Sequence, residues 1–248
     1  LYSSAASDVY KRQRLVMLSV SGYGQTGPYK DRPGFARIAH AFGGLTHLAG
    51  MPGGPPVTPG STSLGDYMTG MYGAIGVLMA LREREKSGLG QTVDLALYES
   101  VFRALDELVP AYAATGYIRG REGIGTANAC PHGHFECRDG RWVAIACTND
   151  KMFDRLSKAM QQPDLASAAQ YGRVANRLAE RDIVDGLVSG WTKSMDRDGV
   201  VAACVASEVP IGAVNAIDEI FEDPHFKERG NLVIVDDPAT GPVTVPGV

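Results

Sequence analysis

The chain has 248 residues, of which 44% are hydrophobic and 21% charged, and its net charge is −4 at pH 7. This composition is typical of a soluble globular protein with one large or two modest domains. The slight acidity provides no basic surface for nucleic acid, and no apolar run reaches the roughly 20 residues that cross a bilayer. We therefore expect neither nucleic acid nor a membrane as a partner. The four cysteines favour reduced thiols and a cytoplasmic location.

The first residues do not lead into a structural element. Residues 1–13 have neither an initiating Met nor an apolar signal core, so we expect a non-native leader there. The following run, RLVMLSVSG, predicts a buried strand. It ends at Gly22–Gly27, which matches the dinucleotide-binding pattern G-x-G-x-x-G. Because Pro28 interrupts the chain where the phosphate-binding helix would begin, we do not expect a nicotinamide cofactor.

A glycine-rich helix is the most informative feature of the chain. Apolar residues from 66 to 86 recur around most of the helix circumference, which predicts burial on several sides. Gly70, Gly73 and Gly76 lie three residues apart, so we expect another backbone or a ligand close to that face. Asp66 opens the helix, where it is either an N-cap or a carboxylate nucleophile. The helix N-terminus stabilises the negative charge in both roles.

Strands and helices alternate around this helix. Residues Thr92–Leu97 predict a strand and residues 98–114 a helix, so the succession favours an α/β fold with a parallel sheet. The Gly- and Arg-rich composition that follows predicts a linker. The predicted layout is part of a large α/β domain at 14–115, a linker at 116–127, a small α+β domain at 128–215 and a return segment at 216–248.

Within the small domain, a strand pair is predicted on either side of the turn Arg138–Arg141. Helices are predicted near 150–161, 174–190 and 197–207. Cys130, His132, His134 and Cys137 include good zinc ligands, but they lie in one extended segment. Alternate side chains of such a segment point to opposite faces and cannot easily form a tetrahedron, so we predict no metal site.

Two motifs carry a family resemblance. The helix LGDYMTGMYGAIGVLMAL followed by SGLGQTVDLALYES resembles the family III CoA-transferases, and the likeness extends over residues 15–248. The resemblance implies a Rossmann-like large domain with a parallel sheet, present only in part, and a smaller α+β domain. It also implies an interlocked homodimer when full length, and we expect that the chain is a fragment lacking the N-terminal part before Leu15. Coenzyme A enters as a thioester substrate, with no permanently bound cofactor.

The resemblance assigns the reaction and its residues. Asp66, the acid of the Gly65-Asp66 pair, is the implied nucleophile, which exchanges CoA between an acyl-CoA and a small carboxylic acid through an aspartyl-CoA thioester. Phe35 corresponds to an aromatic wall of the family's site, and His40 to a glutamine near the following turn. Arg32 is a candidate for binding a CoA phosphate because it is cationic and beside the loop.

Two other functions remain open at this stage. The α-methylacyl-CoA racemases of the same superfamily use a His-Asp pair as acid and base, and Phe35 and Ala36 take the corresponding positions here. Neither side chain can move a proton, so the sequence favours CoA transfer over racemisation. The third alternative is a catalytically silent CoA-binding module of the same fold, since a fold alone does not fix a function.

Overall fold

A computed structural model describes residues 13–60, 62–167 and 169–247 of the chain. The predicted leader lies outside these described residues, apart from Gln13. The chain divides into two compact units, the first ending at Gly123 and the second beginning at Ile124. This boundary between the two units lies inside the predicted linker, residues 116–127.

The first unit is built on two parallel strands and the helices that follow them. β1 and β2 pair in parallel, with Val20 opposite Leu95. Parallel pairing after a helical crossover is the pattern of an α/β fold, as predicted. The described elements of this unit are β1 (Met17–Ser21), α1 (Ala36–Phe42), α2 (Leu45–Leu48), α3 (Leu64–Ser87), β2 (Thr92–Ala96), α4 (Leu97–Arg103) and α5 (Leu108–Thr115).

The glycines of α3 allow the helix to lie directly on the strands. A Cβ built at Gly73 would lie 2.7 Å from Leu18 Cδ2 of β1, and one at Gly76 would lie 3.1 Å from Val93 Cγ1 of β2. A close approach is therefore found at Gly73 and Gly76, but strand side chains make it, so the predicted neighbour, another backbone or a ligand, is wrong at these two positions. A Cβ built at Gly70 would have no heavy atom of the described residues within 4 Å.

The prediction that α3 is buried on several sides is wrong for this chain. Among the described residues, the face that packs against β1, β2 and the neighbouring helices is the one with Gly65, Gly73 and Gly76. Apolar side chains elsewhere on the helix are exposed: Tyr67, Met71, Tyr72, Ile75, Leu78 and Met79. The all-round apolar pattern thus overstates burial, because hydrophobic periodicity records which faces are apolar and not what covers them.

The helix predicted over residues 98–114 is two helices. α4 ends at Arg103 and α5 begins at Leu108. Between them, Asp106 has a φ of 39°, a left-handed conformation that is incompatible with a continuous helix.

The second unit is an α+β arrangement around an antiparallel sheet in the order β3-β4-β5. Phe135 of β3 lies opposite Val143 of β4, and Ile145 of β4 lies opposite Ile211 of β5. The described elements are β3 (His132–Glu136), β4 (Trp142–Ala146), α6 (Asp150–Ala159), a 3-10 turn (Pro163–Ala166), α7 (Val174–Ala179), α8 (Arg181–Thr192), α9 (Arg197–Ala206), β5 (Ile211–Ala213), α10 (Ile217–Glu222), α11 (Pro224–Glu228), β6 (Leu232–Asp237) and β7 (Gly241–Pro246).

The core of this unit lies between the sheet and the helices α6, α8 and α9. Its largest buried apolar side chains are Phe135, Val143, Ile145, Phe153, Leu156, Val184, Val188 and Val200. β6 and β7 form a hairpin within the segment 216–248, pairing antiparallel from Leu232 opposite Pro246 to Asp237 opposite Gly241. The predicted helix over 174–190 is interrupted at Glu180, which ends α7 and precedes α8.

An ion-pair network links α10 to the rest of the second unit. Glu219 of α10 lies 2.6 Å from Arg197 of α9 and 3.4 Å from Arg141 of the β3–β4 turn. Its carboxylate also accepts a hydrogen bond from the Ala216 N–H at 2.9 Å. The Arg197 guanidinium and this backbone donor lower the pKa of Glu219 to about 2.

The described residues lack two features that would bear on function, a membrane-spanning helix and a metal-binding cluster. None of the described helices is long and apolar enough to span a membrane. Within the same described part of the chain, no group of three or more His, Cys, Asp or Glu side chains is arranged to hold a metal ion. The four cysteines are free and buried, and burial raises the pKa of the Cys130, Cys147 and Cys204 thiols to about 12.

Candidate active site

Asp66 lies in the first turn of α3. Ser63 is the N-cap residue, and the Asp66 N–H donates to the Ser63 carbonyl at 2.9 Å. No side chain caps this end of the helix, so the alternative in which Asp66 serves as an N-cap is wrong. Instead, its side chain is exposed, and none of the described residues forms an ion pair with it. Asp66 is thus a free carboxylate at the positive end of a 24-residue helix.

His40 fixes the start of the same helix. It extends from α1 and is 1% exposed, and its Nε2 accepts a hydrogen bond from the Gly65 N–H at 2.9 Å. A Cβ built at Gly65 would lie 3.3 Å from this nitrogen and 3.4 Å from Val101 Cγ2. A side chain at this position would therefore crowd the imidazole, which explains why glycine precedes the acid.

A second buried contact continues from Gly65 into α4. The Thr69 hydroxyl donates to the Gly65 carbonyl at 2.7 Å and lies 3.0 Å from the Ser100 hydroxyl. Because Thr69 has a single hydroxyl proton, Ser100 donates the hydrogen bond between the two oxygens. Both side chains are buried. The peptide groups of Gly65 are thus held on both sides, and the backbone immediately before Asp66 is fixed to α1 and α4.

A cavity of about 350 Å³ opens beside this turn. One wall is the start of α1 with Arg37 and His40, and the other is the loop that leads into α3 and ends at Ser63. The described lining residues are Ala36, Arg37, His40, Thr58, Gly60, Thr62 and Ser63. Such a volume suits a small molecule with a few polar groups.

The Gly22–Gly27 loop is ordered by polar contacts rather than by a phosphate-binding helix. The Gln25 N–H donates to both carboxylate oxygens of Asp94, at 2.9 and 3.1 Å, and the Gly24 N–H donates to Ser21 Oγ at 3.0 Å. Since the next helix begins only at Ala36, the loop lacks the strand–turn–helix context of a dinucleotide site.

The other predicted site residues lie in separate surroundings. The Arg32 guanidinium lies 3.6 Å from the ring centre of Tyr29, a cation–π contact, so it already has a partner within the loop. Phe35 is the N-cap residue of α1 and is 79% exposed. The structure therefore brings His40 and Gly65 together with Asp66, whereas Arg32 and Phe35 are not among the residues that line the cavity.

Sequence reasoning missed three residues of this site. Arg37 lies in the cavity wall, Thr69 donates to the Gly65 carbonyl, and Ser100 bonds the Thr69 hydroxyl. Thr69 and Ser100 carried no signal, because the burial of a hydroxyl cannot be read from its residue type. Arg37 carried none, since a single arginine on an amphipathic helix is most often solvent-exposed.

Comparisons with known proteins place the chain in a family. Residues 7–248 match the model of CoA-transferase family III. The chain therefore belongs to CoA-transferase family III. A crystal structure of a CAIB/BAIF family protein from Brucella suis has a TM-score of 0.80 and 28% identity, covering 98% of this chain and 66% of that one.

Two relatives are the subunits of one enzyme from Chloroflexus aurantiacus, succinyl-CoA--L-malate CoA-transferase. The alpha subunit is 55% identical over 234 residues, covering 94% of this chain and 55% of its own length. The beta subunit is 57% identical over 224 residues, covering 90% and 55%. The chain thus spans about half the length of the relatives it matches.

Proposed function

We propose that the protein is an acyl-CoA:carboxylate CoA-transferase that works through a covalent aspartyl-CoA thioester on Asp66. The observation that carries the proposal is the free Asp66 carboxylate in the first turn of α3, on a backbone held by His40 and Thr69. Membership of the CoA-transferase family supports the reaction class.

The proposed reaction begins when an Asp66 oxygen attacks the thioester carbon of an acyl-CoA. The C–S bond breaks, CoA thiolate leaves, and a mixed anhydride forms between Asp66 and the acyl group. The thiolate then attacks the Asp66 carbonyl carbon, which releases the donor acid and leaves an aspartyl-CoA thioester. The acceptor carboxylate repeats these two steps in reverse order, so that it leaves as the new acyl-CoA and the Asp66 carboxylate is restored.

The chain's own residues serve this reaction mainly by positioning the nucleophile. The bonds from His40 and Thr69 to Gly65 fix the direction of the first turn of α3, and a fixed nucleophile reacts with a bound thioester without further ordering. The positive end of α3 stabilises the Asp66 carboxylate each time it is released.

We further propose succinyl-CoA as donor and a small dicarboxylic acid such as L-malate as acceptor. Support comes from the names of the two Chloroflexus aurantiacus relatives, both above 50% identical. Because those relatives are an alpha and a beta subunit, the complete protein is proposed to assemble with a second copy or a similar subunit. No further cofactor is needed, since the thioester supplies the energy of transfer, and we propose a cytoplasmic location.

The racemase alternative finds less support at this site. Phe35 and Ala36 offer no titratable group, and His40, the nearest candidate base, already uses its Nε2 lone pair to accept from Gly65. To act as a base through Nε2, His40 would first have to break its hydrogen bond with the Gly65 N–H. CoA transfer requires only the Asp66 carboxylate.

Isotope transfer from the acceptor tests the covalent route. We expect the full-length protein, in a single turnover with succinyl-CoA and L-malate carrying ¹⁸O in both carboxylates, to acquire one ¹⁸O atom in the peptide that contains Asp66. The label arrives because the acceptor oxygen that attacks the aspartyl thioester stays on Asp66 when the anhydride is cleaved. Mass spectrometry of the digested protein measures this transfer.

Two variants define the controls. Asp66→Asn should abolish transfer and labelling, whereas Glu85→Gln, an exposed acid on the same helix, should leave both unchanged. CoA transfer without ¹⁸O in the Asp66 peptide would contradict the covalent route.

The alternative functions give different results. Release of the α-proton of a 2-methylacyl-CoA without CoA transfer would favour the racemase. Absence of both proton release and CoA transfer would favour the silent CoA-binding module.

A further inference from the structure

The cavity beside α3 contains one positive charge and no negative one. Arg37 is the only charged residue among its described lining residues. No carboxylate of the described part of the chain lies within 4.0 Å of the Arg37 guanidinium. An unpaired guanidinium in a cavity wall favours an anionic ligand, which it can hold with two parallel hydrogen bonds.

Neutral donors surround the same space. The hydroxyls of Thr58, Thr62 and Ser63 line the cavity, and each can donate a hydrogen bond. Ser63 is also the N-cap residue of α3, and its side chain accepts no hydrogen bond from the helix. The N-terminal end of this 24-residue helix adds a partial positive charge of the same sign as Arg37.

The buried imidazole of His40 is an independent observation in the cavity wall. Because Nε2 accepts from the Gly65 N–H, the proton of the neutral ring lies on Nδ1. Nδ1 is buried, and no described residue offers it a hydrogen-bond partner. A buried donor without an acceptor is costly, and His40, as a lining residue, brings this unsatisfied polar group to the cavity wall.

The cavity lies one helical turn from the nucleophile. Ser63 lines it, and Asp66 follows three residues later, with its N–H bonded to the Ser63 carbonyl at 2.9 Å. Side chains three residues apart on a helix have Cβ atoms about 5–6 Å from each other. A short diacid therefore has a suitable length to place one carboxylate in the cavity and the other near Asp66.

We infer that this cavity binds the second carboxylate of a dicarboxylic substrate, with Arg37 as the receiving cation. The inference rests on the proposed function, because it assigns a substrate class to the site around Asp66. Arg37 acts in binding and selectivity, and the carbon that reacts is at the other end of the acid.

Equilibrium binding tests the inference apart from turnover. In the full-length protein carrying Asp66→Asn, which cannot form the thioester, titration calorimetry should show succinate binding more tightly than butyrate, its monoacid counterpart. Adding Arg37→Gln should weaken succinate roughly 10- to 100-fold and leave butyrate unchanged, and Arg37→Lys should restore part of the affinity. This titration measures binding without turnover, so its result can be interpreted even if the covalent mechanism on Asp66 is wrong.

Arg82→Gln is the matched control, since Arg82 is an exposed arginine of α3 away from the cavity. It should bind succinate like the parent protein. Unchanged succinate affinity in Arg37→Gln, or equal weakening of succinate and butyrate, would overturn the inference.

The same anionic chemistry could come from a CoA phosphate. In that case Arg37→Gln would raise KM equally for succinyl-CoA and butyryl-CoA. With the dephospho-CoA esters the effect would disappear if Arg37 binds the 3′-phosphate and persist if it binds the diphosphate, which these esters retain. Either result would also overturn the inference. The result expected here is a rise in KM for the succinyl ester and for L-malate, with little change for the butyryl ester.

Discussion

At the scale of single residues, the hydrogen bond between His40 and Gly65 connects the first turn of α3 to the protein interior. We expect His40→Leu to lower the free energy of unfolding by about 1–3 kcal/mol, because the buried Gly65 N–H would lose its acceptor. Transfer activity should fall as well, since Asp66 follows Gly65 directly. Urea unfolding and kcat of the full-length protein measure the two effects.

Two controls accompany this change. His40→Gln can still place an oxygen near the Gly65 N–H and should retain most of the stability and activity. His47→Leu alters an exposed histidine of α2 and should change the free energy of unfolding by no more than about 0.5 kcal/mol. Equal effects of His40→Leu and His47→Leu would show that the His40 bond contributes nothing.

The sequence was sufficient for the residues of the motif but not for the residues that surround it. Gly65 and Asp66 stand next to each other in the chain, and the family resemblance also drew attention to His40. The role of Arg37 depends on the side of α1 that faces the loop before α3, which no short sequence pattern encodes. Arg32 remains a prediction as a CoA ligand, because its contact with Tyr29 neither requires nor prevents that role.

At the scale of elements, the glycines of α3 differ in what they face. We expect Gly73→Leu to destabilise the protein by about 1–3 kcal/mol, because Leu18 Cδ2 already occupies the space that a side chain would need. Gly70→Ala should stabilise it by up to about 1 kcal/mol, since no described atom lies near that position and alanine is the better helix former. Urea unfolding midpoints of the two variants provide the measurement. If Gly73→Leu and Gly70→Ala changed the free energy of unfolding by the same amount, the contact between Gly73 and Leu18 of β1 would be contradicted.

The strands and α3 were predictable because each has a local signal. Alternating apolar residues mark β2, and Gly88, with a φ of 76°, ends α3 as a glycine C-cap. The break between α4 and α5 has no such signal. Asp106 adopts a left-handed conformation without a nearby glycine or a proline at that point, so only the tertiary structure reveals it.

At the scale of the whole molecule, the network around Glu219 predicts how the protein responds to acid. The pKa of Glu219 in the folded protein is about 2, lowered from the ordinary value of 4.5 chiefly by Arg197. The unfolded chain therefore binds more protons between these pH values. The stabilisation from Glu219 is complete above pH 4.5 and is lost as the pH falls towards 2.

We expect Glu219→Gln to lower the melting temperature at neutral pH and to flatten its fall between pH 4.5 and 2. Calorimetric melting at a series of pH values is the measurement. Glu222→Gln is the control, because that acid pairs with Lys227 on the surface and is 83% exposed. A pH profile of Glu219→Gln that parallels the parent protein would contradict the prediction.

The α/β and α+β character of the two units was predictable from the order of elements and from the resemblance. What covers the exposed apolar side of α3 was not predictable, because a sequence pattern gives the chemistry of a face and not its neighbour. The predicted division into large domain, linker, small domain and return segment remains a prediction beyond the boundary at Gly123.

One wall of the cavity belongs to α1 and the other to the loop before α3, and this separation bears on how the proteins of this family diverge. Arg37 is a surface position of α1, while the buried face of the same helix, including His40, holds the start of α3. An exchange at position 37 leaves the buried contacts in place, so under the proposed roles of Arg37 and Asp66 the choice of acid would change while the chemistry at Asp66 is kept. Lineages with one reaction and different acceptors are the expected evolutionary result.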